Sequence, residues 1–480
     1  MSFARPSYEQ LAALVVEQAA TIQRLEQRVV ELEAETAELQ RRLAQNSRNS
    51  SRPPSSDGLA KPAPKSLRRP SGRKPGGQPG HEGGHLAQVA APDEVVDHVP
   101  AACGGCRERL GDAVAIGHQA RQVFDLPEIR LWAVEHRAWT RRCGCGHETT
   151  AAFPAAVTAP AQYGPRVRAL GLYLVAYQHL PYARAAQLLA DWIAAPISTG
   201  TLVGFMAQGA EDLQPFLDEV HAQIVAAPIA HFDETGARAD GRLRWLFAAC
   251  TDRLTFYSLH DKRGFDGLDH AGVLGAFTGV AVHDGFKPYR RYTEFQHALC
   301  NVHHLRELLG VIEPDHHDPK IAWAICMDRL LRDLHDAVTG AQAADQDWLD
   351  PDELAGYRAA YAQIIADGNH RDPPATVPTG KRGVIGQTPA RNLLSRLDRD
   401  REDVLRFAHD FRVPFDNNQA ERDIRMVKLQ QKISGCWRTI TGAEQFLALR
   451  AYLSTAAKNG RSTVEVLTAL GDRQPWLPAT

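Results

Sequence analysis

The chain has 480 residues, 44% hydrophobic and 23% charged, with a net charge of −2; at roughly three times the usual domain size it calls for several domains and excludes a single small module. No apolar run approaches the roughly 18 residues of a membrane helix, and the N-terminus lacks the basic start and small-residue cleavage site of a secretory signal. The near-neutral charge argues against a wholly basic nucleic-acid coat, so the expectation is a cytoplasmic protein, with no membrane partner, whose function lies in local patches.

From Leu11 to Leu43 a heptad runs unbroken. Val15, Ile22, Val29, Thr36 and Leu43 occupy one seam position and Leu11, Gln18, Leu25, Leu32 and Leu39 the other, and β-branched residues facing Leu favour a two-stranded parallel coil. Residues 1–45 are therefore expected to form a coiled-coil dimerisation segment, with Arg28 and Glu33 able to pair across it; a single helix packed on its own protein is the alternative. Residues 46–92 read as a basic flexible linker. Up to residue 80 it is rich in Ser, Pro and Gly, and Arg48, Arg52, Lys61, Lys65, Arg68, Arg69, Arg73 and Lys74 stand against one acid, Asp57. Such a stretch cannot bury a core. Its cations, Arg68, Arg69, Arg73 and Lys74 among them, suit DNA phosphates, contacts that position without reading sequence, unless the linker is merely solvated.

Cys103, Cys106, Cys143 and Cys145 cluster, apart from four single cysteines. In a chain too long to need disulfides, Cys103-x2-Cys106 and Cys143-x-Cys145 read as two knuckles converging on one structural Zn2+. The tighter second pair leaves His147 as a substitute ligand, and unrelated buried thiols are the alternative. Val114 to Phe124 and Leu131 to Trp139 are expected strands of this zinc-binding module, residues 93–150. In the region 151–228, Pro165 to Tyr177, Ala183 to Trp192 and Gly200 to Glu211 read as helices. The last two, joined by Ala194-Ala195-Pro196-Ile197-Ser198 with a Ser-capped restart, have the form of a DNA-binding helix-turn-helix, which plain helical hairpins share.

Chemistry concentrates after Ile229. Ile229 to Asp233 is a short strand ending in an acid; Leu243 to Ala249 and Leu254 to Leu259 form a strand pair; Phe265 to Phe277 can be a helix; and Gly279 to Asp284 is another strand ending in an acid. The order strand, strand, strand, helix, strand places Asp233 and Asp284 at the ends of strands that can be adjacent and parallel, the ribonuclease H-like arrangement. A later helix, opened by Pro414 to Arg422, puts Glu421, Arg425, Lys428 and Lys432 on one face beside an apolar stripe of Ala420, Ile424 and Val427. Carboxylates to hold metal and cations to hold phosphate are what a phosphodiester site requires. Taken singly, each acid has a plainer reading: a turn at Asp284-Gly285, a cap at Asp233, a capping box at Asn418-x-x-Glu421.

Taken in order, the coil, Asn49-Ser50-Ser51-Arg52-Pro53-Pro54-Ser55-Ser56-Asp57, Gly77-Gln78-Pro79-Gly80-His81, the paired cysteines, Asp233-Glu234-Thr235, Asp284-Gly285, Cys300-x2-His303 and Asp416-Asn417-Asn418-Gln419-Ala420-Glu421-Arg422 resemble the insertion sequence 66 family of DDE transposases over nearly the whole chain. The compact Cys143-x-Cys145 pair and Val302-His303-His304 depart from that family's pattern. The resemblance implies a catalytic triad of Asp233, Asp284 and Glu421 holding two Mg2+ (or Mn2+) ions, which cuts DNA at an element's ends and joins it to a target. The fold it implies is multidomain α+β: a ribonuclease H-like mixed α/β catalytic domain in two halves, 229–304 and 401–455, with a helical insertion at 305–400. The coiled coil, zinc-binding module and helical DNA-binding region precede it, and a C-terminal tail, 456–480, follows. Partners implied are DNA, a second copy through the coil, and helper proteins of the same element. His297, Cys300, His303 and His304 either bind a second zinc or have a structural or DNA-positioning role. Two rival functions stand beside this one, a nuclease or recombinase of the same fold that does not join strands and a non-catalytic dimeric DNA-binding regulator.

Overall fold

The computed structural model describes residues 7–46, 49, 80, 84, 86–314, 317–376 and 386–479. Arg68, Arg69, Arg73 and Lys74 lie outside these residues. The chain divides into two compact units, one of Met1–Pro64, His136–Leu188 and Ile197–Thr480, the other of Lys65–Glu135 and Leu189–Pro196.

The first element is a single helix, α1 (Tyr8–Ala44). Its heptad seam is exposed along the helix, at Leu11, Val15, Ile22, Leu25, Val29, Leu32, Leu39 and Leu43. In the second unit, residues 86–135 form no regular strand, which corrects the strands expected at Val114 to Phe124 and Leu131 to Trp139. Ile116, Val123 and Trp132 are exposed there, so alternation of apolar residues found no face to bury, and alternation without burial does not hold a ladder. The Cys103 knuckle does form: Cys103 N–H donates to Glu108 O at 2.8 Å and Arg107 N–H to Cys103 O at 3.0 Å. In the first unit, β1 (Thr140–Arg142) and β2 (Glu148–Thr150) pair antiparallel around the Cys143–Cys145 turn, closed by Cys143 N–H to His147 O at 2.8 Å.

Helices α2 (Pro165–Leu172), α3 (Tyr182–Ile193), α4 (Thr199–Asp212) and α5 (Gln214–Val225) follow. Ser198 caps α4 by accepting the Thr201 N–H, the restart expected from sequence. α4, however, carries no Lys or Arg and buries Leu202, Met206 and Gly209, so it offers packing rather than a basic face for phosphate.

The central sheet has five strands, β3 (Ile229–Ala239), β4 (Arg242–Cys250), β5 (Thr255–His260), β6 (Val280–His283) and β7 (Gln296–Leu299), in the spatial order β5-β4-β3-β6-β7. The β3–β4–β5 meander is antiparallel, whereas β6 runs parallel to both β3 and β7. β6 is buried at every position, as suits a short parallel strand between two neighbours. Between β5 and β6 the expected helix over Phe265 to Phe277 stops early, as α6 (Phe265–His270). Gly272 lies just beyond at φ +70°, a left-handed backbone that ends a helix.

After β7 come α7 (Asn301–Ile312), α8 (Ala322–Ala343), α9 (Pro351–Arg371), α10 (Pro389–Arg399) and α11 (Arg401–His409). Trp323, Met327, Leu331, Tyr361, Leu394 and Leu397 form their common core with Val282 and Leu299 of the sheet. Then α12 (Asn418–Ser434) packs on β3 and β4, and α13 (Ile440–Lys458) on β5. Ala420, Ile424 and Val427 of α12 are buried as the stripe requires. The stretch read as a tail contains α14 (Thr463–Gly471), which buries Val466, Leu467 and Leu470 and packs on α2. Among the described residues no helix is long and apolar enough to cross a membrane.

Candidate active site

The register of β3 with β6 pairs His231 with Val282, and continuing it by two residues sets Asp233 level with Asp284, one residue past the end of β6. Asp233 itself lies within β3, not at the strand end expected from sequence, because pairing with β4 carries β3 on to Ala239. Each carboxylate is oriented by its own chain: Asp233 Oδ1 accepts the Glu234 N–H and Asp284 Oδ1 the Phe286 N–H, both at 2.8 Å. The second of these turns requires Gly285 at φ +85°.

Glu421 enters from the first turn of α12. Asn417, immediately before that helix, is buried and fixes its start: Nδ2 donates to Phe232 O at 2.8 Å, Oδ1 faces His231 Nδ1 at 2.9 Å, and its N–H donates to Cys300 Sγ at 3.2 Å. The first turn is capped by Asp416, whose Oδ1 accepts the Asn418 N–H at 2.9 Å. The Glu421 N–H donates to Asn417 O at 3.3 Å, but among the described residues its carboxylate accepts no N–H of the helix start, so the capping box suggested by its spacing does not form. Its carboxylate faces His303 Nε2 at 3.9 Å.

The electrostatics couple the three acids. Burial raises the Asp233 carboxyl well above its usual range, and the charges of Glu234, Asp284 and Glu421 push it further the same way. His303 answers that negative field: burial opposes its charge, but Cys300, Asp284 and Glu421 outweigh it and lift the imidazole to about 10. The acids are within electrostatic reach without being drawn into a cage. No group of three or more His, Cys, Asp or Glu among the described residues is gathered closely enough to grip a metal ion, as mutual repulsion of carboxylates favours.

Two supporting networks were not foreseen from sequence. Glu234, on the opposite face of β3 from Asp233, accepts Arg263 Nη2 at 2.8 Å and the Tyr289 hydroxyl at 3.0 Å; burial and then Asp284 raise it to about 7. Beside it, His297 Nε2 bonds Tyr292 O at 3.0 Å, His297 Nδ1 faces His283 Nε2 at 2.9 Å, and His283 Nδ1 accepts the Gly285 N–H at 3.0 Å. Only one proton arrangement satisfies this chain: both rings carry hydrogen on Nε2, and both are neutral. Burial lowers the pKa of each, in keeping with that state. His297 therefore belongs to a hydrogen-bond chain ending at the Asp284 turn.

The other sequence candidates have distinct fates. Arg425 and Lys432 are exposed on α12, free of ion pairs among the described residues. Lys428 is half-buried and its Nζ donates to Gly236 O, so it pins α12 to β3 instead of standing free. Cys300 receives the Asn417 N–H, and His304 is buried with Nδ1 3.2 Å from Asn301 Oδ1; burial and Arg396 lower it to about 3, so it acts as a neutral packing residue. Cys103 and Cys106 lie in one unit, Cys143 and Cys145 in the other. Backbone hydrogen bonds from Cys106 and Gly105 lower the Cys103 thiol, and one from Cys145 lowers Cys143, the electronic condition for thiolate ligands.

Asp423, two residues beyond Glu421, was not singled out by its spacing. It is buried and accepts Lys458 Nζ at 2.7 Å, Thr255 Oγ1 at 3.0 Å and Ser454 Oγ at 3.3 Å, joining α12 to β5 and α13.

A family model described as the transposase IS66 family matches residues 160–445, the span that holds the sheet and all three acids. A second, described as a family of unknown function (DUF6444), matches residues 4–87. No curated protein matches the chain.

Proposed function

The chain belongs to the transposase IS66 family, and on that premise we propose that it cuts and joins DNA at a carboxylate triad, Asp233, Asp284 and Glu421, on a ribonuclease H-like sheet. The observation that carries this reading is the coupling of Asp233 to Asp284 and Glu421, across adjacent parallel strands and the first turn of α12. A structural protein gains nothing by bringing three carboxylates within electrostatic reach of one another, since each raises the cost of ionising its neighbour.

The donor set fits Mg2+ or Mn2+: carboxylate oxygens are hard ligands, and their combined negative charge favours a cation between them. When bound, divalent ions supply Lewis acidity toward the phosphoryl and leaving oxygens. The chain's own residues orient the reaction. Asn417 holds Glu421 toward β3, the Gly285 turn holds Asp284, and Arg425 and Lys432 offer exposed charge to DNA phosphates. Water attacks the scissile phosphorus, the phosphorus–O3′ bond breaks, and a 3′-hydroxyl is freed at the element end. That hydroxyl then loses its proton and attacks a target phosphodiester; a new O3′–phosphorus bond forms as the target's own 3′-oxygen leaves. No covalent protein–DNA intermediate is needed.

The exposed seam of α1 supports a parallel dimer, and the spacing of the two cysteine pairs in the sequence is the basis for a structural zinc. The test is cleavage and strand transfer on the element's own ends with Mg2+, beside Asp284→Asn. Cut but unjoined products would make the protein a nuclease of the same fold, and DNA binding without either reaction would make it a regulator.

A further inference from the structure

Asn49, which opens the Asn49-Ser50-Ser51-Arg52-Pro53-Pro54 motif, has no part in the catalytic reading, yet it is 9% exposed in a stretch whose composition suits solvent. Both ends of its side chain are engaged. Nδ2 donates to Glu313 Oε2 at 2.9 Å, and Oδ1 accepts the Asn46 N–H at 2.9 Å, while the Asn49 N–H returns to Asn46 O at 3.3 Å. This turn lies just beyond the end of α1 and is held against the C-terminal end of α7. Its seat is Gly310: the Asn49 carbonyl oxygen occupies the space that a β-carbon on Gly310 would need. Within a helix alanine is otherwise the better residue, so the close approach accounts for the glycine.

We propose that Gly310 and Glu313 form a docking notch on α7 that clips the chain at Asn49, so that the basic stretch beyond it starts from the catalytic body. The clip lies on the helix whose other end carries His303 toward Glu421, about 10 Å of helix away. Delivery of the arm to DNA rests on the transposase reading above: the cations from Arg52 to Lys74 have the phosphate backbone as their partner. Fixing one end of the arm there raises the effective concentration of those cations at DNA held by the acids.

Amide hydrogen exchange on the full-length protein without DNA tests the clip. The Asn46 and Asn49 amides should exchange at least about tenfold more slowly than in a free peptide of the same segment. That protection should be lost in Gly310→Ala, which puts a methyl group where the carbonyl sits, and in Glu313→Ala, which leaves the glycine untouched; both variants should keep their melting temperature. Wild-type exchange as fast as the peptide's, or protection retained in both variants, overturns the clip. Binding of Gly310→Ala to end DNA should weaken about three- to tenfold at physiological salt with an unchanged salt slope, because no cation has been removed. Protection lost with affinity unchanged overturns the delivery role. Absence of DNA binding by the wild-type protein overturns the transposase reading and the delivery role with it, and leaves the clip to be judged by exchange alone.

Discussion

Replacing Asp423 by Ala should destabilise the protein severely, whereas replacing Glu421 by Gln should leave it folded and inactive, although the two acids lie on the same turn of α12. The Asp423 side chain is 8% exposed and that of Lys458 11%, so the pair is shielded from the solvent that makes surface ion pairs weak. Removing the carboxylate strands the ammonium, which keeps its bonds to Thr251 O at 2.9 Å and Leu254 O at 2.8 Å but loses its counter-charge. Breaking one side of a buried pair costs about 3–5 kcal/mol. The two retained carbonyls hold the estimate to the lower half of that range, and the Thr255 hydroxyl, which still has Ser454 Oγ at 2.9 Å, adds about 1 kcal/mol at most. A total of about 4 kcal/mol corresponds to a fall in melting temperature of about 10 °C. Glu421 is 28% exposed, with His303 at 3.9 Å, so its loss should cost less than about 1 kcal/mol. Removing that charge also relieves Asp233, whose pKa should move back down. Urea unfolding followed by circular dichroism, with strand cleavage measured on the same preparations, separates the two effects. An Asp423→Ala protein within about 1 kcal/mol of wild type, or a Glu421→Gln protein that cleaves normally, would refute this division of duties.

Substitution of His297 by Leu should leave the His283 Nε2–H without an acceptor, costing about 1–3 kcal/mol, and should raise the divalent-ion concentration needed for cleavage about tenfold or more through the loosened Asp284 turn; an unchanged ion titration would count against the relay. Arg425→Ala and Lys432→Ala should each flatten the salt dependence of DNA binding by about one unit, whereas Lys428→Ala should act mainly on stability by freeing α12 from Gly236 O; equal salt effects from all three would reject the distinction. Purified protein should carry one zinc per chain, lost in Cys103→Ser, and chelation should unfold the segment around residues 95–150 before the sheet; metal analysis showing no zinc would end that reading. Deleting residues 1–45 should weaken self-association, and identical sedimentation of the shortened protein would show the exposed seam of α1 has another use.

Local pattern alone was enough to set Asp284 just past the end of β6, level with Asp233 on the neighbouring parallel strand, to bury Ala420, Ile424 and Val427, and to start α4 at Ser198, but it ended β3 at Asp233 where pairing with β4 carries the strand on to Ala239. Each of these depends on spacing within one element, where side-chain direction repeats every two or 3.6 residues and can be read without knowing any partner. The same rule misled where burial failed to follow alternation, in the strands expected at Val114 to Phe124 and Leu131 to Trp139, and it overran Gly272 at the end of α6. Nor could spacing reveal that Lys428 spends its ammonium on Gly236 O, that Asp423 meets Lys458, or that His297 leads through His283 to Gly285. Those pairings depend on the order β5-β4-β3-β6-β7 and on the helices laid against it, which bring together groups 35 or 192 residues apart. A buried charge or ring nitrogen takes whichever partner packing presents, so the residues that support the acids become identifiable only once the sheet has been assembled and its faces covered.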